Sequence, residues 1–451
     1  MPRSPRRRRR SLPPTPVEVA IDDLAHDGRG VGRLVAGEQA GKAVFVHGAL
    51  PGETVSARLI GRNRQFDEAV AVEVGAPSPD RVTPPCPFFD RCGGCALQHL
   101  SPSAQIQFKH KRLVDNFERL GEVTPVRWAE PIQGPTWGYR RRARLSVRDV
   151  PGKGRVLVGF REPQGRYVAD IAHCDVLDQA FAHRLEALSD LVGTLSVRHA
   201  IPQIELAAGD DGQAMIVRHL APFSSDDVLA LKRFSDAHDV AIYLQSKGPD
   251  TIERLTPTTH ALHYTLAQFG LRLAFQPDHF IQVNRAINEQ LIDQALEYLA
   301  LDSDARVLDL FCGLGNFSLP MAQQAKHVTG VEGAQALVEQ ARYNASLNAL
   351  DNAEFYAADL ADSAAFKDWS QATYSHVLID PPRSGAAEVL DVIAATGAEK
   401  LVYVSCNPAT LARDAGALVQ QHGFRLIEAG IADMFPHTAH VESIAYFERA
   451  R

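Results

Sequence analysis

The sequence predicts a multidomain chain: an N-terminal OB-like β-barrel, a central α+β domain and a C-terminal doubly wound α/β domain. Short apolar runs separated by turn residues fill Val17 to Val74, the pattern of a small barrel. From Asn284 onward helical stretches alternate with short apolar runs, as in a parallel sheet covered on both faces. Between them strands and helices mix with no internal repeat and no phosphate loop. The 451 residues give ample length for several cores. A hydrophobic share of 45% and a charged share of 22% are those of ordinary globular protein. No apolar stretch approaches the ~20 residues that span a bilayer, and the start lacks the apolar core of a signal peptide. A cytoplasmic, monomeric protein without membrane association is expected.

The elements follow in order. Residues 1–14 are rich in Arg, Pro and Ser, with Arg3 and Arg6 through Arg10, and are expected to form a basic disordered tail. Net charge is −7, so the molecule as a whole is no polycation. Its basic charge gathers in that tail and in Tyr139-Arg140-Arg141-Arg142-Ala143-Arg144, where it can neutralise phosphates. Residues 15–76 are the predicted barrel: runs at Val17–Ile21, Lys42–Val46, Val55–Ile60 and Ala69–Val74 are broken by Asp27-Gly28, Gly30 and Pro51-Gly52. The central domain is assigned to residues 77–275, entered through the proline-rich Pro77–Pro87. It carries strands at Ala143–Val147, Arg155–Gly159, Ala214–Val217 and Ala241–Leu244 and a helix over Asp178–Leu191. Residues 276–451 form the α/β domain. A helix runs from Asn284 to Ala300, with strands at Arg306–Leu310, His327–Val331, Ala353–Ala357, His376–Ile379 and Leu401–Val404.

Six cysteines in so long a chain do not make a disulfide scaffold. Cys86-x5-Cys92-x2-Cys95 with a distant Cys174 offers four thiolates, which can hold structural zinc or an iron–sulfur cluster. Zinc ribbons pair two short knuckles, and only one is present; three clustered ligands and one remote ligand fit a [4Fe–4S] cube better. Unliganded thiols are the third reading. Four protein ligands leave no open iron, which points to a structural or redox-sensing role.

Three motifs of the C-terminal domain point at one crevice, beyond the carboxyl ends of its strands. Asp309-Leu310-Phe311-Cys312-Gly313-Leu314-Gly315-Asn316 ends a strand and opens a helix; glycines there allow a tight turn and close approach to a ligand. Glu332 ends the next strand and suits a ribose diol. Asp359 ends the one after and can accept from an adenine amine. The turn lacks the third glycine that accommodates a pyrophosphate, which favours S-adenosylmethionine (AdoMet) over a dinucleotide. Asp380-Pro381-Pro382 is similar to the floor of methyltransferases acting on planar amines or bases, but Arg383 stands where amine enzymes place an aromatic residue. Cys406 lies in Val404-Ser405-Cys406-Asn407-Pro408, at a strand end. A buried structural thiol is the plain reading. A thiolate there can instead add to C6 of a uracil and make C5 nucleophilic. A base must then remove the C5 proton: Glu442 is the candidate, with His437 and His440 as rivals.

Residues Asp23–Arg33 with Ala49–Glu53 resemble a TRAM domain, an RNA-binding barrel. Together with the four cysteines, Phe280-Ile281-Gln282-Val283-Asn284, Asp309–Asn316, Asp380–Gly385, Ser405–Pro408 and Asp433–Glu442, nearly the whole chain resembles the RNA uracil-C5 methyltransferase family. The resemblance implies Cys406 as nucleophile and Glu442 as base. It implies AdoMet contacts at Gln282, Phe311, Asn316, Glu332, Asp359 and Asp380, and a [4Fe–4S] cluster on Cys86, Cys92, Cys95 and Cys174. Possession of both barrel and cysteine set implies the 23S rRNA subgroup, with the target uridine flipped from a loop or single-stranded region. A tRNA-directed or dual-site rRNA enzyme shares the chemistry. Two other classes stand beside it: a catalytically silent RNA-binding assembly factor, and a base or protein N-methyltransferase, which has no need of Cys406.

Overall fold

A computed structural model describes residues 12, 15–37, 39–163, 165–257, 260–362, 366 and 368–450. The expected basic tail, apart from Leu12, lies outside the described residues. The described chain forms two compact units. The first takes in the barrel and continues to Phe89, with Cys95–Lys109 and His437–Ala439 added; the second is the remainder. Apart from residues 77–89, 95–109 and 437–439, the expected central and C-terminal segments fall within the second unit.

In the first unit, β1 (Val17–Leu24), β2 (Gly30–Leu34), β3 (Ala43–His47), β4 (Thr54–Arg62) and β5 (Phe66–Val74) close into a barrel of order β1-β2-β3-β5-β4. Alternation sets one face inward: Val19, Val44, Val46, Val55, Ala57 and Ala69 are fully buried. Strand β2 begins inside what the sequence presents only as a turn. Its Gly32 lies so close to β1 that an added Cβ would sit 2.0 Å from the Ala20 carbonyl oxygen, so glycine is required here. A small second cluster packs Leu50, Leu97, Leu100, Ala104 and Phe108, the last two from α1 (Pro102–Asn116).

The second unit holds two large sheets. After the short β6 (Arg127–Trp128) come β7 (Arg142–Val150), β8 (Arg155–Gly159), α2 (Gln179–Ala182) and α3 (Leu185–Thr194). Then follow β9 (Gln203–Ala208), β10 (Gln213–Arg218), α4 (Ser225–His238), β11 (Ala241–Gln245) and β12 (Ile252–Arg254). The six-stranded sheet has order β12-β11-β10-β9-β7-β8. The single helix expected over Asp178–Leu191 is two: Asp178 caps α2 by accepting the Ala180 N–H at 2.9 Å, and the chain turns at His183-Arg184 before α3. A hairpin of β13 (His263–Leu266) and β14 (Leu271–Ala274) leads on.

Next come α5 (Arg285–Leu299), β15 (Arg306–Leu310), α6 (Ser318–Ala322), β16 (His327–Glu332), α7 (Gln335–Leu347), β17 (Ala353–Ala357) and β18 (His376–Ile379). The chain ends with α8 (Leu390–Ala395), β19 (Lys400–Ser405), α9 (Pro408–Gln420), β20 (Phe424–Ala432) and β21 (Glu442–Arg449). Their sheet has order β17-β16-β15-β18-β19-β21-β20-β6. The strands from β17 to β19 are parallel, whereas β21 lies antiparallel between β19 and β20. Leu401, Val402, Tyr403 and Val404 of β19 are all fully buried, each contributing about 1.5–3 kcal/mol relative to exposure. The order reverses between β15 and β18, so the crevice at their carboxyl ends is the switch point where such folds bind ligands. Among the described residues, no helix is long and apolar enough to cross a membrane.

Candidate active site

The register of β21 on β19 carries the central fact. Lys400 pairs with Glu448 and each step holds through Ser405 with Ser443, so Cys406, the residue after β19, and Glu442, the first residue of β21, lie at the same end of the sheet, near enough for the Glu442 charge to act on the thiol. Glu442 is buried at 4% exposure, and Cys406 is half-buried. Ser405 fixes the turn: its hydroxyl accepts the Asn407 N–H and donates to the Asn407 carbonyl, both at 3.1 Å. Asn407 then caps α9, accepting from Ala409 at 3.2 Å, with Pro408 in the first turn. The thiol thus sits at a helix N-terminus.

The loop after β18 brings in Asp380 and Arg383. Asn407 donates its amide to the Arg383 carbonyl at 2.9 Å, and Thr410 donates to the same oxygen at 3.3 Å. Gln282 Nε2 reaches Asp380 Oδ2 at 3.4 Å. Burial raises the Cys406 thiol above its usual range; the nearby Glu442 and Asp380 charges raise it further, and Arg383 pulls it down. Burial, with the Asp380 charge added, lifts Glu442 well above the carboxylate range. Burial alone pushes Asp380 up to about 7. Burial and neighbouring charge therefore strengthen the hold of two acids and a thiol on their protons.

On the β15 side, Phe311 has a left-handed backbone, φ +64, which costs a non-glycine residue about 1–2 kcal/mol. Gly313 and Gly315 follow with positive φ, and open space lies where a Gly313 Cβ would point. The Gly313 N–H donates to Glu332 Oε2 at 3.2 Å, and Ala334 N–H to Oε1 at 2.9 Å. Asp309 accepts from the Ser318 hydroxyl, yet its Oδ1 is buried with no hydrogen-bond partner. Burial, opposed by Ser318 and reinforced by Asp380 and Glu332, pushes Asp309 up to about 8. An open glycine turn, a strand-end carboxylate and an orphaned buried oxygen fit a polar, cationic cofactor such as AdoMet.

The other expected residues fall as follows. Asn316 exchanges amide hydrogen bonds with Asn288, 2.9 Å each way, and accepts from Tyr264 at 2.9 Å. Asp359 is exposed and accepts the Ala361 N–H at 2.9 Å. His440 is exposed, its Nδ1 3.2 Å from Arg383 Nη2. His437 belongs to the first unit, where its carbonyl accepts from Ala96 and Leu97, both at 2.9 Å. The expected iron–sulfur site is not seen: Cys86, Cys92, Cys95 and Cys174 are all half-buried, and among the described residues no group of three or more His, Cys, Asp or Glu side chains is placed to hold a metal ion.

Sequence reasoning gave no role to Asp309 or Asp414. Asp309 stood inside a quoted motif, but its burial was not legible there. Asp414, 1% exposed, accepts from the Tyr403 hydroxyl at 2.7 Å, the Ala386 N–H at 2.8 Å and the Arg413 Nε at 2.8 Å. It ties the Asp380–Ala386 loop to the helix behind Cys406, and only the spacing of four from Thr410 on α9 hints at this.

Strand order and switch-point crevice define the class: a methyltransferase fold, with a thiol and a buried carboxylate at one end of its sheet. Comparisons agree. The tRNA (Uracil-5-)-methyltransferase family model matches residues 260–450, and the TRAM domain model residues 15–72. An Alkalilimnicola ehrlichii protein named 23S rRNA (uracil(1939)-C(5))-methyltransferase RlmD is 50% identical over 98% of this chain and 99% of its own length. Its namesake from Xanthomonas campestris pv. campestris is 50% identical over 96% and 98%. The crystal structure of Pyrococcus abyssi tRNA (uracil-54, C5)-methyltransferase in complex with S-adenosyl-L-homocysteine aligns with a TM-score of 0.71, at 24% identity, over 95% of this chain and all of that one; it shares the fold. The chain belongs to the RlmD family of RNA uracil-C5 methyltransferases.

Proposed function

We propose that this protein methylates C5 of a uridine in 23S rRNA, using AdoMet, with Cys406 as nucleophile and Glu442 as base. The observation that supports it is the β19–β21 pairing, which ends at Ser405 with Ser443 and leaves Cys406 and Glu442 as the next residues at the same end of the sheet. The Cys406 thiolate bonds to C6 of the flipped uracil and C5 gains the electron pair. AdoMet, when bound, supplies an electrophilic methyl group. Once C5 carries the methyl, Glu442 takes the C5 proton and the C5–C6 double bond reforms as the thiolate leaves. Glu442 must be ionised at that moment. Its burial makes the carboxylate a stronger base than in water, and Arg383 steadies its charge. Gln282, Phe311, Asn316, Glu332, Asp359 and Asp380 are proposed to hold AdoMet. Asp380 does so with Gln282 against it, and Asn316 through the rigidity that Asn288 and Tyr264 lend it.

The barrel is proposed to bind the RNA, the chain to act as a cytoplasmic monomer, and residues 1–14 to add phosphate affinity. Ligation of a [4Fe–4S] cluster by Cys86, Cys92, Cys95 and Cys174 is proposed on the sequence spacing and the family resemblance; no catalytic step passes through it. Iron and acid-labile sulfide should copurify with the native chain and not with Cys92→Ser.

The test of function is labelled-methyl transfer from AdoMet to unmodified 23S rRNA and unmodified tRNA, with 5-methyluridine mapped by mass spectrometry. One labelled 23S uridine, lost with Cys406→Ala, is expected. Label in tRNA alone would keep the chemistry and overturn the substrate. Glu442→Gln should accumulate methylated RNA bound to Cys406 on a denaturing gel; no such species would remove Glu442 from its role.

A further inference from the structure

A cavity of about 560 Å³ opens in the second unit beside the cofactor segment, and nothing above uses it. That volume is of the size that encloses a small organic molecule. It is lined by Trp137, Tyr139 and Arg141 on one side and by Asn284 and Arg285 on the other, with Asp178, Asp210 and Asp211 between.

Its charge excludes a phosphate. Arg141 pairs with Asp210, and Arg285 spans Asp210 at 3.4 Å and Glu289 at 2.9 Å, so both cations are answered within the wall. Asp178 and Asp211 add further negative charge. Asp178 spends one oxygen on the cap of α2, and Asp211, its side chain 65% exposed, has Oδ2 3.5 Å from His263 Nε2. Such a wall attracts hydrogen-bond donors. A second observation points to a ligand: Asn284, 1% exposed, accepts the Ile287 N–H through Oδ1 at 3.4 Å, while its Nδ2 is buried with no hydrogen-bond partner. Buried donors are rarely left so in a native protein, and a ligand acceptor would complete it. The half-buried Trp137 adds a face on which a planar ring can stack. Acceptors, one unanswered donor and an aromatic face are what a base edge with an exocyclic amine beside an acceptor requires.

The place is equally telling. Asn284 stands two residues beyond Gln282, the partner of Asp380. The Arg141 N–H donates to the Val283 carbonyl at 3.0 Å, and the Tyr139 hydroxyl to the Pro436 carbonyl at 3.1 Å. The cavity wall is thus fastened to the segment that floors the reaction centre.

We propose that this cavity holds a second base of the same RNA, an amino-bearing base (adenine, guanine or cytosine) flanking the target uridine. The proposal rests on the uridine-methylation reading above and adds to it a sequence-reading pocket. The experiment is a scan of short 23S rRNA fragments in which each nucleotide near the methylated uridine is made abasic in turn. At the position identified, the base is then replaced by its amine-free analogue: inosine for guanosine, purine riboside for adenosine, uridine for cytidine. kcat/KM is measured for the native enzyme, Trp137→Ala and Asp211→Asn. One non-target base should be found whose removal costs the native enzyme roughly tenfold. Trp137→Ala should show no further loss on that abasic RNA, and Asp211→Asn, which replaces one acceptor oxygen by a donor, should lose its preference for the amine. If both variants respond to every abasic and amine-free RNA as the native enzyme does, the pocket proposal is overturned while the methylation reading stands. Absence of methyl transfer by the native enzyme to any fragment and to intact 23S rRNA would overturn both.

Discussion

Cys406 must be a thiolate to attack, yet its surroundings favour the thiol. Burial is the largest cause, and the Glu442 and Asp380 charges add to it; Arg383 opposes them. The rate of adduct formation should therefore climb with pH through neutrality and level only when Cys406 has titrated. Arg383→Gln removes the one opposing charge, so the thiol titrates still higher and the whole profile moves to higher pH. Arg383 is exposed, and solvent screens its charge, so the rate at pH 7 should fall only about two- to threefold, with recovery at alkaline pH. Quench-flow trapping on 5-fluorouridine RNA, at saturating RNA and two salt concentrations, measures this. A uniform drop with an unmoved midpoint would mean that Arg383 acts on RNA or loop structure and not on the thiol.

At the scale of elements, β19 and α9 hold Cys406, the proposed nucleophile, and the loop after β18 holds Asp380. Asp414 joins the two. Asp414→Ala would orphan the Tyr403 hydroxyl, which is fully buried, and the Ala386 N–H. Each buried unpaired group costs about 1–3 kcal/mol, so the urea midpoint of the second unit should fall clearly, and Asp414→Asn, which keeps one acceptor, should fall less. Gly385 is placed by the same contact: φ is +86, and a Cβ would lie 2.5 Å from Arg413 Nη2 and 2.6 Å from Asp414 Oδ2. Gly385→Ala should therefore slow adduct formation at Cys406 as well as lower the midpoint. An unchanged adduct rate in both variants would show that the loop does not depend on this tie. These elements were unequally legible. The parallel strands β15 to β19 announce themselves as apolar runs that end in polar, functional turns, and Cys406 and Glu332 could be picked out for that reason. Strand β21 is buried on six successive positions and shows no alternation, so the hairpin that delivers Glu442 left no period to read. Strand β6 joins β20 from about 300 residues upstream, a pairing that local patterns do not encode. Phe311 adopts its left-handed backbone without the glycine or asparagine that would have signalled it, and Gln282 is placed by tertiary packing; both entered only through family resemblance.

Across the whole molecule, buried titratable groups set how stability follows pH. Three acids of the crevice, Asp309 at about 8, Asp380 at about 7 and Glu442 well above its usual range, titrate higher in the folded chain than near pH 4 unfolded. Between those values the folded state holds protons that the unfolded state has released, so their contribution falls as pH rises. Lowered histidines run the other way. His99, at about 4, and His47, His110, His238, His279 and His376 are kept neutral chiefly by burial; their contribution grows with pH until the unfolded imidazole has titrated, near 6.5. Glu53, Asp170, Asp210 and Asp227 titrate below their usual values, and their contribution is lost only in acid. Above about pH 7.5, where the unfolded imidazoles have lost their protons, the crevice acids remain, until the thiols begin to ionise. The melting temperature of the ligand-free protein should therefore drop between about pH 7.5 and 8.5, and Asp309→Asn or Asp380→Asn should flatten that slope. Scanning calorimetry across this window decides it: a melting temperature that rises with pH, or a slope that both substitutions leave intact, would show that the crevice carboxyls are already ionised in the folded chain.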